Sequence, residues 1–269
     1  MDIINKLPEK KFNEIDDLLT FISIYDDYNR THAYYAMLED NKWFIKDKVC
    51  VELGAGLGLM AEKMAQLGAK KVYAIEKNPY LFAMAQKRLA KYPQIIVLNQ
   101  DALEFIPEEK VSVLVYDFFG QMLYDEDLYI IENLKWKPDI FLPDGAKLMG
   151  GITNIDEFED EIVNKDFLPA LKDILISGLF SEEDIPLSFE VLNFDVHTPF
   201  QKSKIVDISH LKGDLLYFGL QITYHGENLC TAGICSNWSY VWTYRYGNKF
   251  KIEFEKSDRA PEVIFSWVE

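Results

Sequence analysis

Val49-Cys50-Val51-Glu52-Leu53-Gly54-Ala55-Gly56-Leu57-Gly58, followed by Ala74-Ile75-Glu76, is the stretch whose residue types and spacing could do chemistry. It reads as an apolar strand, a glycine-rich turn, a helix start, and a second strand ending in an acid. Gly54, Gly56 and Gly58 permit a tight turn and let the backbone approach a ligand with no Cβ in the way. Glu76 stands 18 residues beyond Gly58, about where a nucleotide-binding βαβ unit places its ribose-binding carboxylate. Three glycines alone also occur in ordinary turns. With the acid at that distance they point to an adenosine-containing cofactor. A second candidate is Tyr116-Asp117-Phe118-Phe119-Gly120-Gln121-Met122-Leu123-Tyr124-Asp125-Glu126, with two acids nine residues apart. Read from its residues alone, the Asp125-Glu126-Asp127 cluster fits the acidic N-terminus of a helix.

These residues need elements to position them, and the pattern supplies an α/β grammar. Val49–Leu53, Lys71–Ile75, Ile95–Asn99, Val111–Tyr116 and Ala146–Met149 read as strands, with helices at Leu59–Leu67, Pro79–Tyr92 and Asp127–Leu134. This alternation predicts a Rossmann-like, doubly wound parallel sheet over residues 46–150. Ahead of it, residues 1–45 form an N-terminal segment with a helical pattern from Phe12 to Glu39. Beyond 150 the grammar changes. Glu157 to Ile176 reads as an acidic helix, and Ser188–Val196, Lys204–Ile208, Asp214–Tyr224, Leu229–Asn237, Tyr240–Tyr246 and Lys249–Glu255 as successive strands. His225-Gly226-Glu227-Asn228 and Tyr246-Gly247-Asn248 are hairpin signals. Residues 151–269 are therefore expected to form an antiparallel sandwich or β-barrel-like domain.

Composition narrows the partners. The 269 residues carry 44 acids against 28 Lys and Arg, a net charge of −16. So acidic a surface repels phosphate backbones, arguing against nucleic acid, and would attract a cationic substrate. Acidity also serves solubility, and charge alone does not choose between the two. No apolar run reaches the roughly 18 residues of a membrane span, so no membrane partner is expected. The N-terminus lacks a secretory layout. Cys50, Cys230 and Cys235 form no CxxC motif and cannot all pair, which fits a reducing cytoplasm. The four histidines, His32, His197, His210 and His225, lack ligand spacing, so no metal is expected.

The glycine spacing separates cofactors. A dinucleotide fold uses GxGxxG to seat a pyrophosphate, whereas this chain has GxGxG with Glu52 inside the first strand. That pattern resembles motif I of class I S-adenosylmethionine-dependent methyltransferases. The resemblance implies S-adenosylmethionine as cofactor, with S-adenosylhomocysteine as product. It places Gly54, Ala55, Gly56 and Gly58 beside the amino acid portion and Glu52 near its amino end. Glu76, with Lys77 next to it, falls on the ribose, and Asp101-Ala102 faces the adenine.

A Rossmann-like half followed by a β-barrel half is similar to the protein arginine methyltransferases. Asp27-Tyr28-Asn29-Arg30-Thr31-His32-Ala33-Tyr34, then Asn41 and Lys46-Asp47-Lys48-Val49, follow that family's D-x-x-R-T-x-x-Y…N…K-D-K-V pattern. The resemblance gives Arg30 the cofactor carboxylate, suited to a bidentate guanidinium, and puts Tyr34 at the substrate. The loop from Tyr116 to Glu126 looks like the family's two-acid loop, making Asp117 and Glu126 the catalytic pair. Two carboxylates can hold a planar guanidinium and aim one nitrogen at the sulfonium methyl. Trp136-Lys137-Pro138-Asp139-Ile140-Phe141-Leu142-Pro143-Asp144-Gly145 matches the family's connection into the last strand.

Departures accompany these matches. Asp117 replaces a Glu and is one methylene shorter. The family's aromatic YFxxY segment is not recognisable between Lys10 and Leu19. Its T-H-W histidine appears as Ser236-Asn237-Trp238, leaving Asn237 and Trp238 as substrate-site candidates. The resulting expectation is methylation of arginine in a cationic peptide or protein, or of a small guanidine. The alternatives are a small-molecule acceptor and a partner subunit that binds the cofactor without turnover. Family members pair through a helical arm. Glu157 to Ile176, with Phe167, Leu168, Leu171 and Ile174 as its apolar stripe, is the candidate arm of a homodimer.

Overall fold

The computed structural model describes residues 8, 21–22, 24–155, 168, 170–178, 185–236, 238–255 and 261–268. Its first half is a five-stranded parallel sheet built from β1 (Val49–Leu53), β2 (Lys71–Glu76), β3 (Ile95–Asn99), β4 (Val113–Tyr116) and β5 (Ile140–Leu142). The strand order is β3-β2-β1-β4-β5. Every residue of β1 and β4 is buried, as expected of central parallel strands covered on both faces.

Order and register bring the chemistry together. The chain winds one way from β1 to β3 and then crosses back to β4, so a crevice opens at the carboxyl ends of β1 and β4. Leu53 pairs with Ile75 on one side and with Tyr116 on the other. The turn after β1 therefore lies between the end of β2, which carries Glu76, and the loop after β4, which opens with Asp117.

The helices are specified locally. Of the helical pattern expected from Phe12 to Glu39, residues 12–20 and 23 lie outside the described ones, and the rest is interrupted at Asp27, which leaves the helical region (ψ 88°) and caps α1 (Tyr28–Asp40) by accepting from Arg30 N at 2.9 Å. Arg30, Tyr34, Met37 and Leu38 form the buried face of α1, at helical spacing. A short α2 (Lys42–Ile45) leads into β1. Gly58, at φ 72°, precedes α3 (Leu59–Gln66). Asn78 caps α4 (Pro79–Leu89) and Pro79 begins it, an ordinary helix start. The helix expected at Asp127–Leu134 shrinks to α5 (Tyr129–Glu132), with no side-chain cap. Asp125 instead accepts from Met122 N within its own loop.

The second half is antiparallel. Its strands are β6 (Gly145–Thr153), β7 (Ile176–Ser177), β8 (Phe189–Asp195), β9 (Ser203–Asp207), β10 (Leu215–Tyr224), β11 (Glu227–Thr231), β12 (Val241–Tyr244), β13 (Lys249–Glu255) and β14 (Glu262–Val268). One sheet runs β7-β12-β10-β6-β8, with β11 also on β10, and the other runs β14-β13-β9. Phe218, Phe250 and Phe265 pack between elements of the two sheets, with centroids 5.5 to 6.1 Å apart.

Several expectations need correction. The strand read at Ala146–Met149 is the start of β6, which pairs antiparallel with β10 rather than closing the parallel sheet; Ile140–Leu142 takes that place. The Tyr246-Gly247-Asn248 turn does not make a hairpin. It joins β12 and β13, which lie in different sheets, because Arg245 grips the carbonyls of Ile208, Leu211, Gly213 and Gly247 at this corner. The strand from Leu229 ends at Thr231, where a turn bonded back to Thr231 O takes over. Of the arm from Glu157 to Ile176, residues 157–167 and 169 lie outside the described ones, Phe167 included. The described remainder is not an α-helix. Leu168 is buried, Leu171 packs on the core, Ile174 is exposed and Ile176 enters β7. Cys230 and Cys235 form a disulfide while Cys50 is free and buried, so the cysteines do not argue for a reducing compartment. No helix among the described residues is long and apolar enough to cross a membrane.

Candidate active site

The glycine turn is held open by its own conformation and by what packs on it. Gly54, Gly56 and Gly58 have φ of 64°, 53° and 72°, a region that side chains disfavour. A Cβ on Gly54 would sit 2.5 Å from Phe118 Cε1, so this close approach also requires glycine. Each N–H from Ala55 to Gly58 is engaged: Ala55 with Ile75 O, Gly56 with Glu76, Leu57 with Tyr25 Oη and Gly58 with Ala55 O. Glu76 is fixed at both oxygens, accepting from Gly56 N at 2.7 Å and Asn78 N at 2.6 Å. Each oxygen retains a further lone pair, which suits a vicinal diol.

A cavity of about 390 Å³ lies beside this turn. Of the residues singled out in the sequence, Arg30, Tyr34, Glu52, Gly54, Ala55, Asp117, Glu126 and Trp238 line it together. Gly56 and Gly58 continue the turn outside its lining, and Glu76 reaches Gly56 from the end of β2. Lys77 and Asp101 pair with each other at 3.0 Å and are more exposed; neither they nor the buried Ala102 is among the residues lining the cavity. Asn237 lies outside the described residues. Trp238 is 2 % exposed and donates from Nε1 to Phe119 O at 2.9 Å, tying the antiparallel half to the loop that carries both acids.

Several cavity residues were not proposed as site residues from the sequence, Ile24, Leu59, Met60 and Gln121 among them, and an aromatic pair is the most prominent. Phe21 and Tyr25, one helical turn apart and just ahead of Asp27, stand over the glycine turn, and a Cβ on Gly56 would collide with the Tyr25 hydroxyl. Their i, i+4 aromatic spacing was the available signal, displaced from the segment where the aromatic pair was sought. Gln121 lies inside the loop already singled out; its Oε1 accepts from Ser177 Oγ at 2.7 Å, a contact that only the fold creates.

The charges are strongly coupled. Arg30 donates from Nε to Asp117 Oδ2 at 2.5 Å and its Nη2 pairs with the same oxygen. Tyr34 lies beneath the guanidinium at 5.2 Å from its ring centroid. Burial would lower the Arg30 pKa, but Asp117 and the neighbouring groups together hold it above its usual value. Burial, then the charges of Asp117, Asp125 and Asp127, push Glu126 up to about 8. Burial also pushes Glu52 to about 8, against the N–H groups of Ala61 and Met60 that its carboxylate accepts from at the start of α3. A cavity with one cation already neutralised by one acid, and a second acid held partly protonated, is arranged to receive a further positive charge.

The chain is similar to known methyltransferases. The family model for ribosomal RNA adenine dimethylase matches residues 24–135, the half that carries the glycine turn and both acids. Protein arginine N-methyltransferase 2 of Dictyostelium discoideum is 32% identical over 149 residues, 52% of this chain and 28% of that protein. Protein arginine N-methyltransferase 1 of Oryza sativa subsp. indica is 32% identical over 147 residues, 51% of this chain and 38% of that protein. The crystal structure of PRMT6 superposes with a TM-score of 0.70 at 14% identity, covering 94% of this chain and 99% of that one. By sequence over its first half and by fold, the chain resembles the class I S-adenosylmethionine-dependent methyltransferases, and among them the protein arginine methyltransferases. The Trypanosoma brucei PRMT1 enzyme–prozyme complex with AdoHcy is similar at a TM-score of 0.64 and 14% identity, covering 92% of this chain and 98% of that one. The matched segments span about a third of the length of the curated relatives. S-adenosylmethionine is the cofactor of this class, and the fixed Glu76 carboxylate and open glycine turn fit its ribose and amino acid portions.

Proposed function

We propose that this chain is an S-adenosylmethionine-dependent methyltransferase and that it acts on a guanidinium, either arginine in a cationic peptide or protein or a small guanidine. The observation that carries the reading is the shared cavity of Asp117, Glu126, Arg30 and the glycine turn. When bound, S-adenosylmethionine supplies an electrophilic methyl group on a sulfonium. The chain's residues do the rest. Glu76 and Asp101 orient the adenosine, while Arg30 and the turn at Gly54–Gly56 take the amino acid end. Asp117 and Glu126 hold the guanidinium by charge-assisted hydrogen bonds, so that one nitrogen faces the methyl group. Phe21, Tyr25 and Trp238 exclude water. With its pKa near 8, Glu126 is also matched to accept the proton that the methylated nitrogen gives up.

The family model is named for an RNA-directed activity, but its match ends at residue 135 and leaves the antiparallel half unmatched. The net charge of −16 disfavours a polyanionic acceptor and favours a cationic one. Asp117, shorter than the Glu of the resembled family, leaves room for a differently shaped acceptor, which supports the small-guanidine version. A second reading, a cofactor-binding partner without turnover, is supported by the engagement of Asp117 with Arg30. Pairing with a second copy is supported by exposed Tyr28 and Trp43 on the outer helices, 72% and 75% accessible.

The decisive experiment is transfer of radiolabelled methyl groups to arginine-rich peptides, free arginine and small amines, comparing wild type with Glu126→Gln. Label on a guanidine that Glu126→Gln abolishes, with S-adenosylhomocysteine affinity retained, is the expected result. Transfer unaffected by Glu126→Gln sinks the guanidine reading. Absence of any transfer by a protein that binds the cofactor leaves the partner-subunit reading. Light scattering at micromolar concentration tests the dimer, and a strictly monomeric mass overturns it.

A further inference from the structure

The glycine turn is bonded on its outer side by a residue that neither the motif nor the cavity reveals. Arg88, in the last turn of α4, reaches back 30 residues and donates from Nη1 to Leu57 O at 3.1 Å and to Gly58 O at 3.2 Å. Its Nη2 pairs with Glu62 of α3, and Glu62 is braced from its other oxygen by Lys91 at 3.0 Å. Glu62 is buried, so this fork is aimed rather than wandering in solvent. Tyr25 Oη accepts the Leu57 N–H from the cavity side. The Leu57 residue is thus held at its N–H by a side chain in front and at its carbonyl by one behind. Next to it, Gly56 N donates to Glu76.

We infer that Arg88 is a positioning residue for cofactor binding, acting through the Leu57 and Gly58 carbonyls to fix the turn that in turn fixes Glu76. The inference rests on the class I cofactor site described above and adds to it a residue outside that site's lining. Glycines at positive φ are the most mobile backbone units the chain could place here, and their freedom must be removed before a ligand can pack against the turn. A guanidinium suits the task because its rigid planar fork spreads its donors over two carbonyls and a carboxylate, whereas an ammonium concentrates three donors on one rotating nitrogen. Glu62 and Lys91 orient Arg88, and Glu62 also meets the turn directly, its backbone N–H donating to Gly58 O at 3.0 Å.

The test is S-adenosylhomocysteine affinity by calorimetry, together with steady-state kinetics, in Arg88→Gln, Arg88→Lys, Glu62→Gln and Glu76→Gln. Arg88→Gln is expected to raise Kd and the cofactor KM by roughly tenfold, the loss of one charged hydrogen-bond set, with kcat at saturating cofactor unchanged. Arg88→Lys should recover only part of this, and Glu62→Gln should move Kd in the same direction by less. Because Arg88 works through the turn onto Glu76, Arg88→Gln and Glu76→Gln should be non-additive in a double-mutant cycle. Unchanged cofactor affinity in a folded Arg88→Gln overturns the proposal, as does strict additivity with Glu76→Gln. Should Arg88→Gln fail to fold, the cycle run with Arg88→Lys decides by the same criterion. A wild-type protein that does not bind S-adenosylhomocysteine at all would instead overturn the class I site on which the proposal rests.

Discussion

Arg30 and Asp117, 87 residues apart in the chain, form a largely buried ion pair in which two guanidinium nitrogens share a single carboxylate oxygen. The resemblance gives these residues different partners, the cofactor's carboxylate for Arg30 and the acceptor's guanidinium for Asp117. Finding them bonded to each other means that one guanidinium and one carboxylate link the two halves of the site. Asp117→Asn should therefore separate stability from cofactor affinity. Leaving the buried Arg30 charge without its partner costs about 3 kcal/mol of folding stability. The released guanidinium should bind the cofactor's carboxylate at least as tightly as in wild type. Urea denaturation and calorimetry read the two effects, and a parallel loss of both contradicts the linkage.

The pH dependence follows from Glu126. Its pKa is raised from 4.5 to about 8, so in the window between these values the folded protein binds more protons than the unfolded chain. Stability from this group is therefore lost as pH rises through that window. Glu126→Gln should flatten the decline partly, because Glu52 is raised to about 8 as well and contributes in the same direction. Denaturation measured at several values between pH 5 and 9 checks this. In catalysis the sign reverses. The ionised carboxylate is needed, so acceptor kcat/KM should rise with pH through about 8, and Asp117→Asn should move that inflection downward by removing a negative neighbour.

Glu76 has both oxygens fixed by backbone N–H groups before any ligand arrives. Glu76→Ala should weaken S-adenosylhomocysteine binding by about 1–3 kcal/mol, the worth of hydrogen bonds to a charged group. Calorimetry showing wild-type affinity would remove Glu76 from the site.

Trp238 connects the antiparallel half to the acid-bearing loop through a single buried donor. Trp238→Phe keeps an aromatic ring and removes the N–H to Phe119 O, which should cost about 1 kcal/mol of stability. Because that carbonyl lies two residues from Asp117, KM for the acceptor should increase more than KM for the cofactor. Equal changes in both would show that Trp238 acts only through packing.

Local rules made the elements around the glycine turn legible. The βαβ periodicity, the obligatory glycines of the turn and the distance to Glu76 are short-range constraints, so β1, β3 and the start of α4 follow their sequence patterns to the residue. Arg30 and the acid pair were recognisable as types at a spacing. What the sequence did not determine is long-range. The pairing of Leu53 with Tyr116 sets Asp117 against the glycine turn, and it arises only when the sheet reverses its winding between β1 and β4. Whether the strand after Pro143 completes the parallel sheet or begins the antiparallel one is equally invisible locally, since the same apolar run suits both; its partner β10 lies about 70 residues downstream. The Arg30–Asp117 pair, the Arg88 fork on the Leu57 and Gly58 carbonyls and the Trp238 bond to Phe119 belong to the same class. Sequence determined which chemical groups this protein has and where along the chain the glycine turn and Glu76 fall. Tertiary structure alone decided which of those groups meet, because contact between distant residues depends on sheet order and register, which no local pattern encodes.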